Sequence, residues 1–235
     1  MVTTNILTRV RHIQYEFSQG RFEKGTGFTL EYGDKQFLVT VSHIFRYRTN
    51  GEKLSIGLFH KGNWETLEVT IYLHENVNVD VALLSLPHDI SNKLPVSPTT
   101  ADMALGADFY FLGFPFGMMM DDQGINDGFP IPYVKKGCLS GLPLKEKGVE
   151  KLYLDAINNT GFSGGPVVFY GINDMHLPLN NRVVRIAGVV KGYIPNIVKF
   201  TTQLAEELEF AENSGLVEVH SIDHVLQIAK REGFV

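Results

Sequence analysis

Apolar and polar residues alternate with a period of two through most of this chain, in short runs broken by Gly, Asn, Asp and Pro. In Leu67-Glu68-Val69-Thr70-Ile71-Tyr72-Leu73 every second side chain is apolar, the pattern of a strand with one face against a core. Gly27–Tyr32, Gln36–Val41, Lys53–Phe59 and Asp108–Gly113 read as further strands. Val79–Leu86 is apolar apart from Asp80 and Ser85, as a strand buried on both faces would be. Turn residues recur about every 8–12 positions, which predicts an all-β barrel or sandwich. A helical period occurs only near the end. In Ser221–Arg231 the apolar residues 222, 225, 226 and 229 share one face, with Ser221 to cap the start and Gly233 to end the helix. Thr202–Asn213 also reads as a helix, with Leu204, Ala205, Leu208 and Ala211 on one side and glutamates on the other.

Three prolines (Pro87, Pro95, Pro98) among aperiodic polar residues mark a linker crossing a surface. The predicted organisation is therefore one functional domain over 1–235. A first β unit covers about 5–90, a linker about 87–103, a second β unit about 104–220, and a helix about 221–231.

Composition narrows the class. A formal charge of −5 argues against a nucleic-acid partner, which requires a basic face. The single cysteine, Cys138, has no internal partner, so no disulfide holds the fold and a reducing compartment is expected. The segment Met1–Leu7 lacks the apolar core of a signal peptide, and no run approaches the length of a membrane span. With Met1 as the native start, the expectation is a cytoplasmic protein that does not associate with membrane.

The candidate chemistry centres on Asn159-Thr160-Gly161-Phe162-Ser163-Gly164-Gly165-Pro166-Val167-Val168. Three glycines in so short a span indicate backbone that bends sharply or is closely approached. A nucleophile needs this when flanking amides must face a developing oxyanion, although a glycine turn before a strand would look the same. A serine also needs a base, and the base needs an orienting group. Of the eight histidines, His43 follows the buried-looking strand Leu38–Val41. Asp80, set among Val79, Val81 and Ala82, is costly to bury unless a partner such as an imidazole receives it.

Several motifs in sequence order then resemble a trypsin-like serine peptidase of the chymotrypsin fold, in particular its disulfide-free bacterial HtrA-type branch. They are Gly25-Thr26-Gly27-Phe28, Val39-Thr40-Val41-Ser42-His43, Val79-Asp80-Val81-Ala82-Leu83-Leu84, Leu112-Gly113-Phe114-Pro115-Phe116-Gly117, Lys136-Gly137-Cys138-Leu139-Ser140, and Asp155-Ala156 leading into Gly161-Phe162-Ser163-Gly164-Gly165-Pro166. The resemblance implies an all-β fold of two six-stranded antiparallel barrels with a C-terminal helix, and a triad in the cleft between them. It implies Ser163 as nucleophile, His43 as base, Asp80 as its orienting group, and the amides of Gly161 and Ser163 as the oxyanion hole. It calls for no cofactor and no metal, and the substrate would be a protein or peptide. The specificity pocket would have Ile157 and Asn158 at its floor. Its walls would be Val189, Val190 and Lys191 on one side and Gly215, Leu216 and Val217 on the other. An apolar Ile157 offers no carboxylate for Lys or Arg, so an uncharged side chain is expected beside the cleaved bond, unless Glu218 or Lys191 points inward.

Three features depart from that pattern. Phe162 stands where secreted relatives carry an aspartate that pairs with a newly cut N-terminus, so activation of that kind is not expected, and a resting state awaiting an activating protein partner is. Met118–Tyr133 is an insertion whose acidic run Asp121–Gly128 lacks full calcium-ligand spacing and reads as a solvated loop. Tyr193–Ser214 is a second insertion, read either as a lid or as the receiver of the activator. The peptide-binding domain that follows many HtrA-type proteases does not occur within these residues. A protease-like binding module without turnover is the alternative function.

Overall fold

The computed structural model describes residues 2–122, 124–178, 181–201 and 207–235. A short helical turn, α1 (Thr4–Leu7), precedes the strands β1 (Val10–Ser18), β2 (Arg21–Tyr32), β3 (Lys35–Thr40), β4 (Lys53–His60), β5 (Asn63–Leu73) and β6 (Ala82–Ser85). Their order β1-β2-β3-β6-β5-β4 is closed by pairing of β1 with β4. The period-two pattern accounts for this barrel, since alternate side chains such as Leu54, Ile56 and Leu58 enter one core. At the β4–β5 hairpin Lys61 and Gly62 both take positive φ, +47° and +81°, which matches the strand twist.

The chain then crosses to a second barrel, pausing at β7 (Ser97–Pro98), which pairs in parallel with a later strand. That barrel comprises β8 (Asp108–Gly113), β9 (Tyr133–Glu146), β10 (Val149–Asp155), β11 (Pro166–Phe169), β12 (Arg185–Thr201) and β13 (Glu207–Ser221). The order is β11-β8-β9-β10-β13-β12, and pairing of β11 with β12 closes it. Its core includes Phe109, Phe111, Leu152, Leu154, Phe162 and Val219. The fold is thus two closed six-stranded antiparallel barrels and a C-terminal helix, α2 (Asp223–Arg231). The Ser221 hydroxyl accepts the Asp223 amide at the start of α2, and Gly233 (φ +73°) turns the chain at its end. Phe234 then lands on Phe37 and Tyr72, tying α2 to the first barrel. Among the described residues no helix is long and apolar enough to cross a membrane.

Two expectations are corrected. Residues 207–213 are strand, not helix, and 202–206 of the same expected helix lie outside the described residues. Beyond the barrel, β12 and β13 continue as a two-stranded ribbon in which Val198 opposes Phe210 and Phe200 opposes Leu208. These four share one face and are exposed, and Lys199 pairs with Glu209 on the other face. Cross-strand pairing outweighs the helical spacing of Leu208 and Ala211. The apolar run Val79–Leu86 contains only the short strand β6, and Val79–Val81 belongs to the loop before it. In the first insertion, Arg11 reaches from β1 to Asn126 and stacks its guanidinium 3.9 Å over Phe129. Burial lowers the Arg11 pKa to about 9. The Asp122 carboxylate caps the amides of Asn126 and Gly128 within the loop, and the Gly128 carbonyl accepts the Lys61 amide at 2.8 Å, so the loop is pinned to the first barrel.

Candidate active site

The barrels meet where the turn before β11 lies against β2. The Thr26 amide donates to the Ser163 carbonyl at 2.9 Å, and the Thr26 hydroxyl donates to the Gly161 carbonyl at 2.7 Å. A side chain at Gly25 would strike Ile44, and its Cβ would stand 3.0 Å from the Ser163 carbonyl oxygen. Ile44 follows His43 on the 3-10 turn Ser42–Phe45, so the turns that carry the serine and the histidine both pack against Gly25. His43 therefore stands on a turn just past β3, not on the strand itself.

The turn that presents Ser163 is shaped by its glycines. Gly161 has φ +105°, and a Cβ there would collide with the Phe114 carbonyl. Gly164 has φ +87°, and a Cβ there would collide with the Thr26 carbonyl and the Thr40 hydroxyl. Between them Phe162 points into the second barrel, fully buried and edge-on to Phe111 with ring centroids 5.0 Å apart. The Thr160 carbonyl accepts the Phe116 amide at 2.7 Å, and a planar trans peptide then turns the Gly161 N–H the opposite way. Among the described residues neither the Gly161 amide nor the Ser163 amide has an acceptor.

Asp80 is engaged on every side. Its Oδ2 lies 2.7 Å from His43 Nδ1, and its Oδ1 accepts the His43 amide at 2.9 Å and the Ser42 hydroxyl at 2.8 Å. Burial pushes its pKa up, but the His43 ring and charge, the Ser42 hydroxyl and the His43 amide together hold it below the usual carboxylate range. The bond to Nδ1 fixes the proton there in neutral His43 and leaves Nε2 as the acceptor. The Ser163 hydroxyl donates to the Lys191 carbonyl at 3.0 Å, and no hydrogen bond joins it to His43.

The structure sets the expected pocket floor beside one of its expected walls, while Val189, Val190 and Val217 of the walls are turned into the barrel cores. The Ala156 amide donates to the Gly215 carbonyl at 2.8 Å, the Asn213 side chain donates to the Asn158 carbonyl, and Asp155 opposes Leu216. Lys135 bonds the Ile157 carbonyl and the Asn159 side chain, and burial lowers its pKa. The Ile157 side chain is exposed, Asn158 is buried, and Val189, Val190 and Val217 point into the barrel cores. Lys191 and Glu218 pair with each other at 3.2 Å. Sequence reasoning missed His220, whose Nδ1 accepts the Asp80 amide at 3.0 Å. The available signal was Glu218 and His220 alternating with Val217 and Val219 in a strand where polar residues on a second face need partners.

No known family profile and no curated protein matches the chain. Solved structures do. The Rv3671c protease from M. tuberculosis in its active form aligns with a TM-score of 0.58 and 18% identity, covering 96% of this chain and 81% of that one. The inactive form of Rv3671c protease aligns at 0.54 and 18%, covering 96% and 89%. A serine-to-alanine mutant of Rv3671c, also inactive, aligns at 0.54 and 18%, covering 97% and 88%. What is shared is the fold. The chain has the chymotrypsin-like double barrel.

Proposed function

We propose that this protein is a serine endopeptidase that hydrolyses protein or peptide substrates through an acyl-enzyme. The observation that carries the reading is the Asp80–His43 pair, held at 2.7 Å, with a turn that offers Ser163 and two amides without acceptors among the described residues. In the reaction Ser163 Oγ attacks the scissile carbonyl while His43 Nε2 takes its proton. The carbonyl oxygen, now negative, receives the Gly161 and Ser163 N–H groups. Loss of one such donor costs on the order of 10²–10³ in rate. His43 passes the proton to the leaving amine, and water then repeats the sequence on the acyl-serine with His43 again as base. Asp80 stays ionised and stabilises the imidazolium. Ile157 and Asn158 with Lys191, Gly215 and Leu216 would receive an uncharged side chain beside the cleaved bond.

The proposal includes latency. Before attack the Ser163 hydroxyl must leave the Lys191 carbonyl and turn to His43, exchanging a hydrogen bond worth about 1 kcal/mol. An activating partner would favour the turned rotamer, and the exposed apolar face of Val198, Phe200, Leu208 and Phe210 is the surface best suited to receive it. Buried Phe162 takes over the anchoring of the turn, so no freed N-terminus is needed. A cytoplasmic setting fits the lone Cys138.

A fluorophosphonate probe tests the activity. Labelling of Ser163 that vanishes in Ser163→Ala is the expected result. A wild type that stays unlabelled even with candidate activators present would favour the alternative of a protease-like binding module, for which the Ser163–Lys191 hydrogen bond speaks. Mapping of new protein N-termini with wild type and Ser163→Ala would identify substrates.

A further inference from the structure

His43 is half exposed, and among the described residues the one side-chain acceptor for its ring is Asp80, whose Oδ2 receives the Nδ1 proton. The geometry of the base is therefore set by wherever Asp80 is held. Asp80 lies outside the strands, in the loop between β5 and β6, so no sheet ladder fixes its backbone. Its amide N–H crosses instead to the second barrel and donates to His220 Nδ1 at 3.0 Å. A backbone N–H can only donate, so His220 Nδ1 accepts and the ring proton of this neutral imidazole sits on Nε2. His220 is completely buried on β13. Its Nε2 lies 3.8 Å from Glu218 Oε1, beyond hydrogen-bond distance, and has no hydrogen-bond partner among the described residues, while Glu218 is clamped by Lys151 at 2.8 Å and Lys191 at 3.2 Å. Lys191 is the residue whose carbonyl holds the Ser163 hydroxyl. One polar cluster on β10, β12 and β13 thus touches both the aspartate and the serine.

We propose that His220 is a positioning residue of the triad. It fixes the backbone of Asp80 from the opposite barrel, and through the carboxylate it fixes the His43 ring, while its burial on β13 holds the His220 ring in place. The inference rests on the protease reading for its catalytic consequence, but the positioning itself can be read without turnover.

The substitutions His220→Leu, His220→Asn and His220→Gln separate position from bulk. The Asn side-chain oxygen reaches about where Nδ1 stands and can accept the Asp80 amide. Gln reaches the Nε2 position instead, and Leu accepts nothing. The readouts are the ¹⁵N shifts of the His43 ring, which report its hydrogen bond to Asp80, and kcat and KM for p-nitrophenyl acetate, with thermal unfolding as the folding control. Misplacement of a reacting group by about an ångström costs on the order of 10² in rate. The expected result is therefore a fall in kcat of about that size in His220→Leu and His220→Gln, with little change in KM and altered His43 shifts. His220→Asn should restore the shifts and most of kcat. If His220→Leu fails to fold, the Asn and Gln variants decide alone. Wild-type His43 shifts and kcat in His220→Gln or His220→Leu would overturn the proposal, as would equal impairment of Asn and Gln. A wild type that turns over no ester and takes no fluorophosphonate even with candidate activators present would refute the protease reading. The His43 shifts would then still decide the positioning.

Discussion

The two barrels hold their contributions to the site by different physics. The second barrel presents Ser163 by shape, with a buried phenylalanine beneath the turn and glycines where any Cβ would collide with a neighbouring carbonyl. The first holds the Asp80 loop by the buried Val79 and Val81 on either side, but aims the Asp80 carboxylate and amide by hydrogen bonds, to Ser42, His43 and, from the facing barrel, His220. Packing is spread over many weak contacts and tolerates little change in volume, whereas a hydrogen-bonded loop depends on a few directed partners. The serine turn should therefore fail through loss of stability, and the aspartate loop through loss of chemistry in a protein that remains folded.

Asp80→Asn tests the second half of that contrast and carries the largest expected effect. Asparagine keeps the shape and can still accept the Ser42 hydroxyl and the His43 amide. It gives up the charge that stabilises the imidazolium and favours the wrong tautomer. Turnover of an activated ester should fall by about 10⁴ while the denaturation midpoint moves little. A loss of ester turnover that merely follows a loss of fold would remove the distinction between the two regions.

Phe162→Ala tests the first half. Truncating a fully buried phenylalanine costs about 3–5 kcal/mol, visible as a lower denaturant midpoint with an unchanged slope. Fluorophosphonate labelling of the fraction still folded should slow as well, because the turn loses the anchor between Gly161 and Ser163. A variant with wild-type stability would mean that backbone hydrogen bonds, and not burial, hold the turn.

The same contrast explains what the sequence made readable. Backbone that only glycine can follow is written locally, so the turn at Gly161 and Gly164 stood out without any partner in view. The alternation of Leu67–Leu73 likewise announces a strand because pairing and burial act on the same side chains. Residues 207–213 satisfied both a helical and a strand spacing. The partner that decides, Ile197–Thr201, is matched to them by a pairing that no local pattern reveals. His220 was hidden for a similar reason. It bonds a residue 140 positions away through a backbone amide, which carries no sequence signature.

Beneath the serine turn lies a support that is packed like Phe162 yet can titrate, and it gives the smallest of the expected effects. His12 on β1 is 3% exposed, stacks on Phe114 with ring centroids 4.8 Å apart, and has no partner for its Nδ1. Phe114 is the residue whose carbonyl abuts Gly161. Burial, with a further contribution from Lys24, lowers the His12 pKa from 6.5 to about 4. Between those values the unfolded chain binds a proton that the folded protein refuses, so stability rises with pH across the window. It is complete above about 6.5 and declines as pH falls toward 4, by about 3 kcal/mol at the lower end. His12→Phe keeps an aromatic ring against Phe114 and removes the titration. The fall in unfolding free energy between pH 7 and pH 4, measured in denaturant at both, should be smaller in this variant by about that amount. Equal falls in variant and wild type would show that the packed side of the site has no titratable support. The acid sensitivity of the protein would then come from its carboxylates, Asp80 among them, whose depressed pKa also withdraws stability as pH falls.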